Sequence, residues 1–236
     1  MIWQLLQGFI HGDAADVDMA GLLMTLAATA VVLILCLPMH EFAHAWMAKK
    51  MGDNTAWMHG RLTLNPSKHL DLVGTLMILF IGFGYAKPVP VNPRNFNNGK
   101  YKQGMALTAA AGPVSNLILA VIFCLLTYAC YAVNRSLRSD ALELVWQMLG
   151  IVSFRNIGLA VFNLIPFPPL DGSRILDLIL PGKVSRFIDE HENIFRYGIY
   201  LLLFFGSPIG KFSVLLFNGL SYIIGLPFNA HLTFFG

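Results

Sequence analysis

Five consecutive residues, His40-Glu41-Phe42-Ala43-His44, place two imidazoles and a carboxylate within little more than one helical turn. On a helix, His40 and His44 lie on the same face, because residues four apart point the same way. Two imidazoles placed in this way can bind one zinc ion, and Glu41 can then reach a water molecule beside the metal. Zinc lowers the pKa of a bound water to about 7, so that it can attack a peptide bond. The spacing therefore predicts a zinc peptidase.

This motif follows a long apolar stretch. Residues 19–39 carry no charged side chain, and a run of that length is long enough to cross a lipid bilayer. Ionisable groups at the edge of the hydrocarbon region are costly and seldom lack a function. Pro38 lies two residues before His40 and removes one backbone hydrogen bond. We expect a bend there, which either admits water to the motif or serves helix packing alone.

The composition indicates a polytopic membrane protein, for which the apolar runs described below predict an all-α fold. The chain has 236 residues, of which 56% are hydrophobic and 12% charged, and its mean hydropathy is +0.62. A soluble domain carries about 25% charged residues. The net charge of +3 is small and scattered, so the expected partner is the lipid bilayer and not nucleic acid. The three cysteines lie in apolar runs, where we expect packing and not disulfides: Cys36, Cys124 and Cys130.

Apolar runs and their breaks predict the helices. Three runs are long enough to span a bilayer, and they are 19–50, 105–133 and 141–165. Residues 1–11 are expected to form a short interfacial helix within an N-terminal segment of residues 1–18. Two shorter apolar helices, 193–206 and 209–226, are separated by Gly-Ser-Pro and should form a hairpin.

The apolar run at 72–86 is short for a spanning helix and contains three glycines, which favours a re-entrant segment. Re-entry would place the basic stretches 49–69, 87–102 and 174–186 on one side of the membrane. These stretches carry four, four and three Lys or Arg residues, against two on the other side. The positive-inside rule then places His44 nearer the cytoplasm and the amino terminus outside, in a multi-pass protein of the inner (plasma) membrane. A full crossing, which removes the charge bias, is the alternative.

Two proline-rich stretches break the helical pattern. Prolines at positions 88, 90 and 93 require extended backbone directly after the 72–86 run. Residues 166–172 contain three more prolines, end the third spanning run and present Asp171 on irregular backbone. Such backbone persists at membrane depth only where protein or a water-filled cavity surrounds it.

Other polar side chains have more ordinary interpretations. Asn116 lies at membrane depth, where an amide in a generic bundle bonds to a neighbouring helix, and the small residues around Pro113 permit close helix approach or a kink. Arg155, inside the third spanning run, either snorkels or pairs with an acidic residue. His59 and His69 show no ligand spacing and are expected to be loop residues.

Three motifs occur in order along the chain, at residues 40–44, at residues 112–116 (Gly-Pro-Val-Ser-Asn), and from Asn163 to Gly172 (Asn-Leu-Ile-Pro leading to Leu-Asp-Gly). Together they resemble the site-2 protease family of intramembrane zinc metalloproteases, over about residues 19–175. The likeness is to compact bacterial or archaeal members that lack a PDZ or CBS domain.

The resemblance implies a site and a function. One zinc ion would be held by His40, His44 and Asp171, with Glu41 as the catalytic base and with Asn116 and Asn163 at the substrate cleft. The implied activity is hydrolysis of membrane-spanning proteins or peptides in regulated intramembrane proteolysis. A catalytic core would occupy residues 19–175, and residues 176–236 a cytoplasmic loop and the C-terminal hairpin.

Three alternatives to a protease remain open at this stage. The histidines could be hydrogen-bonded residues of a bundle, the polar groups could line a transporter or ion pathway, or the protein could bind zinc without catalysis. No internal inverted repeats support a transporter, and an intact Glu41 has no use in a non-catalytic scaffold. A transmembrane substrate must also unwind before cleavage, and the glycine-rich 72–86 run could accept it as an added strand.

Overall fold

A computed structural model describes residues 19–80, 84–204, 208–228, 230 and 232. The predicted interfacial segment at residues 1–18 lies outside the described residues. In chain order the helices are α1 (Met19–Lys50), α2 (Thr55–Met58), α3 (Pro66–His69), α4 (Leu72–Phe80), α5 (Tyr101–Leu137), α6 (Asp140–Asn163), α7 (Asp171–Leu176), α8 (Gly182–Glu190), α9 (Glu192–Phe204) and α10 (Pro208–Gly225). Among the described residues β pairing is limited to one isolated bridge, so the all-α prediction is confirmed.

Four of these helical stretches are long and apolar enough to cross a membrane, counting only the described part of the chain. They are α1, α5, α6 and the stretch Gly210–Phe228, which joins most of α10 to a 3₁₀ turn. α5 is longer than predicted, with 37 residues and a length of about 55 Å. Since a bilayer's hydrocarbon core is about 30 Å thick, the ends of α5 extend into the headgroup regions.

The long α1 is interrupted near Pro38. A π-helical turn, Val32–Cys36, separates its two α-helical parts, Met19–Val31 and Leu37–Lys50. π-turns are rare and occur often at functional sites, and here the turn directly precedes the histidine motif. The irregularity expected at Pro38 therefore takes the form of a widened turn.

The ends of the segment after α3 meet beside each other, which is compatible with the re-entry prediction. Leu70 and Ala86 form an antiparallel bridge, so both ends of the segment lie at the same level. The returning backbone touches the helix, because a Cβ on Gly74 would lie 2.0 Å from the carbonyl oxygen of Tyr85. Residues 72–80 are helical, however, and their backbone groups are engaged in the helix. The hypothesis that this part of the run accepts a substrate as an added strand is therefore wrong for residues 72–80.

Asp53 anchors the turn after α1 to the extended stretch before α5. Its side chain is fully buried and accepts hydrogen bonds from the backbone and hydroxyl of Thr55, from the Asn92 backbone at 2.7 Å and from the Asn95 amide at 2.8 Å. Burial alone would raise the pKa of Asp53, but these donors stabilise the carboxylate and leave its pKa below the ordinary value. The anchor fixes the return of the 84–92 stretch beside α1.

The core lies where α5 packs along α6 and against α1. Its largest apolar cluster comes from these three helices and consists of Ala28, Val32, Cys36, Leu119, Phe123 and Val152. All three cysteines are free thiols, and Cys36 and Cys124 are buried, which confirms the packing role expected for them. This three-helix core holds in place the elements that carry the predicted site.

Candidate metal centre

His40 and His44 lie one turn apart on the second α-helical part of α1. Their side chains are buried, and their Nε2 atoms are 3.0 Å apart. The two rings meet edge to face with centroids 4.5 Å apart. Glu41, on the same turn, is only 8% exposed. The predicted arrangement of two imidazoles on one face is therefore present.

Asp171, which is distant in sequence from both histidines, lies beside their imidazoles in the fold. It is the first residue of α7, directly after the proline-rich stretch that ends α6. Its Oδ2 atom lies 3.4 Å from Nε2 of His40 and 3.4 Å from Nε2 of His44. This oxygen is buried and has no hydrogen-bond partner in the described part of the chain. An orphaned carboxylate oxygen therefore faces both ring nitrogens.

The three ligand atoms fit a zinc ion. In a tetrahedral site with metal–ligand distances of about 2.0–2.1 Å, any two ligand atoms are about 3.3 Å apart. The observed separations of 3.0, 3.4 and 3.4 Å agree with that value. Within the described residues, His40, His44 and Asp171 are the cluster of His, Cys, Asp or Glu that could hold a metal. Three protein ligands leave a fourth position open, as catalytic zinc sites require.

Contacts on the other ring nitrogen orient each histidine. Nδ1 of His44 donates to the carbonyl oxygen of Thr108 at 2.7 Å, which leaves the Nε2 lone pair for a metal. The Asn116 amide nitrogen lies 3.1 Å from Nδ1 of His40, and the amide oxygen is buried without a partner. Metal binding through Nε2 needs a proton on Nδ1, so the amide oxygen must face His40 in the loaded site. Rotating the Asn116 amide by about 180° exchanges its nitrogen and oxygen and gives this arrangement.

Two glycines permit the close packing of the site. A Cβ on Gly112 would lie 2.3 Å from Nε2 of His44 and 2.6 Å from Cε1 of His40, so α5 touches both rings there. A Cβ on Gly172 would lie 2.3 Å from the Leu164 carbonyl oxygen, so the start of α7 packs on the end of α6. The close approach expected around Pro113 therefore involves the candidate ligands themselves.

Three other polar residues considered from the sequence do not belong to this cluster. Asn163 is half-buried at the end of α6, and its amide nitrogen donates to the Leu159 carbonyl at 3.0 Å. His69 is fully buried and bonds to the Thr63 carbonyl, while exposed His59 bonds to the Thr55 carbonyl.

Arg155 has a partner that differs from both expectations. Its guanidinium donates to the hydroxyl of Thr29 at 2.5 Å, across the contact between α1 and α6. The neighbouring Asn156 donates to the sulfur of Cys36 at 3.2 Å. These two bonds tie α6 to α1 just before the π-helical turn, at Thr29, and at its last residue, Cys36.

Comparison with known proteins places this architecture in a family. The family model for Peptidase family M50 matches residues 28–137 and 128–205. YwhC of Bacillus subtilis is 43% identical over 189 residues, which cover 77% of this chain and 81% of YwhC. Two proteins named Rip2, from Mycolicibacterium smegmatis and Mycobacterium tuberculosis strain H37Rv, are 31% and 29% identical over 66% and 74% of this chain. These alignments span 57% and 64% of the Rip2 proteins, which is less than two thirds of their length.

All three relatives carry provisional names as zinc metalloproteases. No solved structure gives a significant match. The helical membrane core, the cluster of two imidazoles and a carboxylate, and these relatives define an intramembrane zinc metalloprotease. More particularly, the chain belongs to peptidase family M50, so its resemblance to the site-2 proteases is confirmed. A transporter or a non-catalytic zinc protein is not favoured.

Proposed function

We propose that the protein is an endopeptidase of the His-Glu-x-x-His type, with His40, His44 and Asp171 as the zinc ligands and Glu41 as the general base. The observation that carries this assignment is the position of Asp171 Oδ2, which is buried, has no hydrogen-bond partner among the described residues and lies 3.4 Å from Nε2 of both histidines. A carboxylate placed there from another helix completes the donor set that zinc prefers.

The chemistry divides between the metal and the protein. When bound, zinc supplies Lewis-acid activation of water and of the scissile carbonyl. Glu41 accepts the proton of the attacking water and passes a proton to the leaving amine, as a general base and then a general acid. Its burial, at 8% exposure, keeps competing solvent away from that transfer.

The substrate class proposed is a membrane-spanning protein or peptide. An apolar groove of about 560 Å³ lies among α5, α6 and α10 and is lined by Leu117, Ala160, Val161, Leu164, Ile165, Phe212 and Leu216. Leu117 follows Asn116 in the chain, and Leu164 follows Asn163. The groove is therefore lined by the chain neighbours of both asparagines, which supports placing Asn116 and Asn163 next to the substrate cleft.

We propose the same orientation and organisation that the charges favour. The amino terminus would lie outside, and the metal centre nearer the cytoplasmic face of the inner (plasma) membrane. The return of the chain at the Leu70–Ala86 bridge supports this, because it keeps the basic stretches 49–69 and 87–102 on one side. Residues 19–175 would form the catalytic core, residues 1–18 an interfacial segment, and residues 176–236 a cytoplasmic loop and helical hairpin.

The test is cleavage of a panel of single-span substrates by purified protein in lipid. Glu41→Gln should retain zinc and lose at least about a hundredfold in turnover, the range that general-base catalysis contributes. The matched control is Glu190→Gln, since Glu190 is exposed on α8. Equal cleavage by the Glu41→Gln and wild-type proteins would refute the role of Glu41. Wild-type protein without zinc would refute the ligand set.

A further inference from the structure

A second polar site lies at the opposite end of α6 from the metal centre. The 24 residues of α6 separate its two ends by about 36 Å. At the end of α6 that begins with Asp140, the turn between α5 and α6 forms a hollow of about 320 Å³, which we call the α5–α6 hollow. Its lining carries positive, negative and aromatic groups, from Tyr131, Asn134, Arg135, Arg138, Asp140, Glu143 and Trp146.

The charged side chains that line the α5–α6 hollow do not form ion pairs with one another. Arg135 and Arg138 are exposed, and neither guanidinium has an ion-pair or hydrogen-bond partner among the described residues. The carboxylate of Asp140 likewise has none there, and Glu143 accepts one bond from Gln147 at 3.2 Å. Groups of both signs are therefore available to a ligand that itself carries both signs.

The turn that presents Arg138 is held in an unusual conformation. Arg138 has a φ of 48°, which lies in the left-handed region that residues other than glycine rarely adopt. Its backbone N–H donates to the Asn134 carbonyl, and the Ser139 N–H donates to the Asn134 side chain, both at 2.8 Å. A left-handed residue is a common way for a helix to end, and these two bonds fix the backbone of Arg138 at the end of α5.

The position of the α5–α6 hollow is that of lipid headgroups. α5 and α6 both span the membrane, and the hollow lies at the turn that joins them. Tyr131 and Trp146 meet edge to face there with centroids 5.6 Å apart. Tyrosine and tryptophan are enriched at this level of a bilayer, and an arginine guanidinium pairs with phosphate oxygens.

We propose that the α5–α6 hollow binds the headgroup of phosphatidylethanolamine, a phospholipid with a phosphate and a primary ammonium. The phosphate meets Arg135 and Arg138, and the ammonium donates to Asp140 and Glu143. Phosphatidylcholine carries a quaternary ammonium without N–H donors, and phosphatidylglycerol has no cation for the carboxylates. The mixed charges of the hollow therefore select among the three headgroups.

The test is native mass spectrometry of the full-length protein from micelles containing equal amounts of the three lipids with identical acyl chains. Wild type should retain phosphatidylethanolamine above the other two. Arg135→Gln/Arg138→Gln should lower its retention roughly tenfold, and Asp140→Asn/Glu143→Gln should reduce it to the level of phosphatidylcholine. Arg94→Gln, an exposed arginine outside the hollow, is the matched control and should change nothing.

Zinc content and thermal unfolding establish that each variant is folded. If a double variant is unstable, Arg135→Gln alone serves, because Arg135 lies in the last turn of α5 and not in the strained turn. Preference of the wild type for phosphatidylglycerol or phosphatidylcholine would overturn the proposal. Unchanged phosphatidylethanolamine retention in the folded variants would overturn it as well.

Discussion

A Cβ atom on Gly112 would lie 2.3 Å from Nε2 of His44. α5 therefore lies directly against the imidazole that is proposed to bind the metal. The same helix provides the Thr108 carbonyl to Nδ1 of His44 and the Asn116 amide to Nδ1 of His40. α5 thus fixes both rings without supplying a ligand of its own.

Gly112→Ala should weaken zinc binding. The added methyl group occupies space held by both rings, so the imidazoles must move apart or α5 must shift. We expect zinc affinity to fall at least about tenfold, with activity lost in parallel. Zinc content after dialysis at defined free zinc measures the effect. Gly158→Ala on α6 is the matched control, because a Cβ there meets nothing within 4 Å. A zinc affinity of Gly112→Ala equal to that of wild type would contradict the proposed packing of α5 on the two rings.

Gly172→Ala tests how the third ligand is positioned. A Cβ at residue 172 would lie 2.3 Å from the Leu164 carbonyl oxygen, so the start of α7 must move away from α6 and carry Asp171 with it. We expect weaker zinc binding while the helical content from circular dichroism is unchanged. Gly182→Ala at the start of α8 has open space around it and should bind zinc normally. Equal zinc affinity in both variants would show that the position of Asp171 does not depend on this contact.

Much of the fold and site was predictable because the signals are local. The i, i+4 spacing of His40 and His44 and the long apolar runs follow directly from helix geometry and bilayer thickness. The position of Asp171 beside them was implied by resemblance, and the structure brings these residues together. That meeting depends on the packing of α7 against α5 and α6, which no local pattern specifies.

What the sequence did not predict depends on tertiary contacts. Thr108 acts through its backbone carbonyl, so its residue type carries no signal. Arg155 was expected to snorkel or meet an acidic residue, but packing of α6 on α1 places a hydroxyl, that of Thr29, within its reach. The helical state of residues 72–80 was missed because short apolar runs fit a helix or a strand equally well.

Variants of Asn116 test the orientation of its amide. If the amide oxygen accepts from Nδ1 of His40, Asn116→Asp keeps an acceptor and should retain zinc. Asn116→Leu removes it and should lower zinc affinity by about 10- to 100-fold, the usual effect of losing such a partner. Zinc titration of the two variants, with wild type beside them, gives the comparison. Zinc binding that is weaker in Asn116→Asp than in Asn116→Leu would show that the amide nitrogen faces His40.

The Asp53 anchor predicts a pH-dependent stability. The pKa of Asp53 in the folded protein lies below its ordinary value of 3.8, so near that pH the unfolded chain binds more protons than the folded one. Its contribution to stability is therefore complete above about pH 4 and is lost as the pH falls through the lowered pKa. Replacing the charge with Asp53→Asn should cost about 1–3 kcal/mol at pH 7, since four hydrogen bonds converge on this carboxylate.

Thermal unfolding of wild type and Asp53→Asn in the same lipid, between pH 7 and pH 3, checks this prediction. The gap between the two unfolding temperatures should be widest at neutral pH and should narrow below pH 4, because the unfolded wild-type chain there takes up protons that the folded carboxylate does not. Asp71→Asn, a change of the same kind at a carboxylate with one backbone donor, Gly74, should show a smaller gap. A gap for Asp53→Asn that stays constant down to pH 3 would mean that the ionised carboxylate is not what holds the 84–92 stretch against α1.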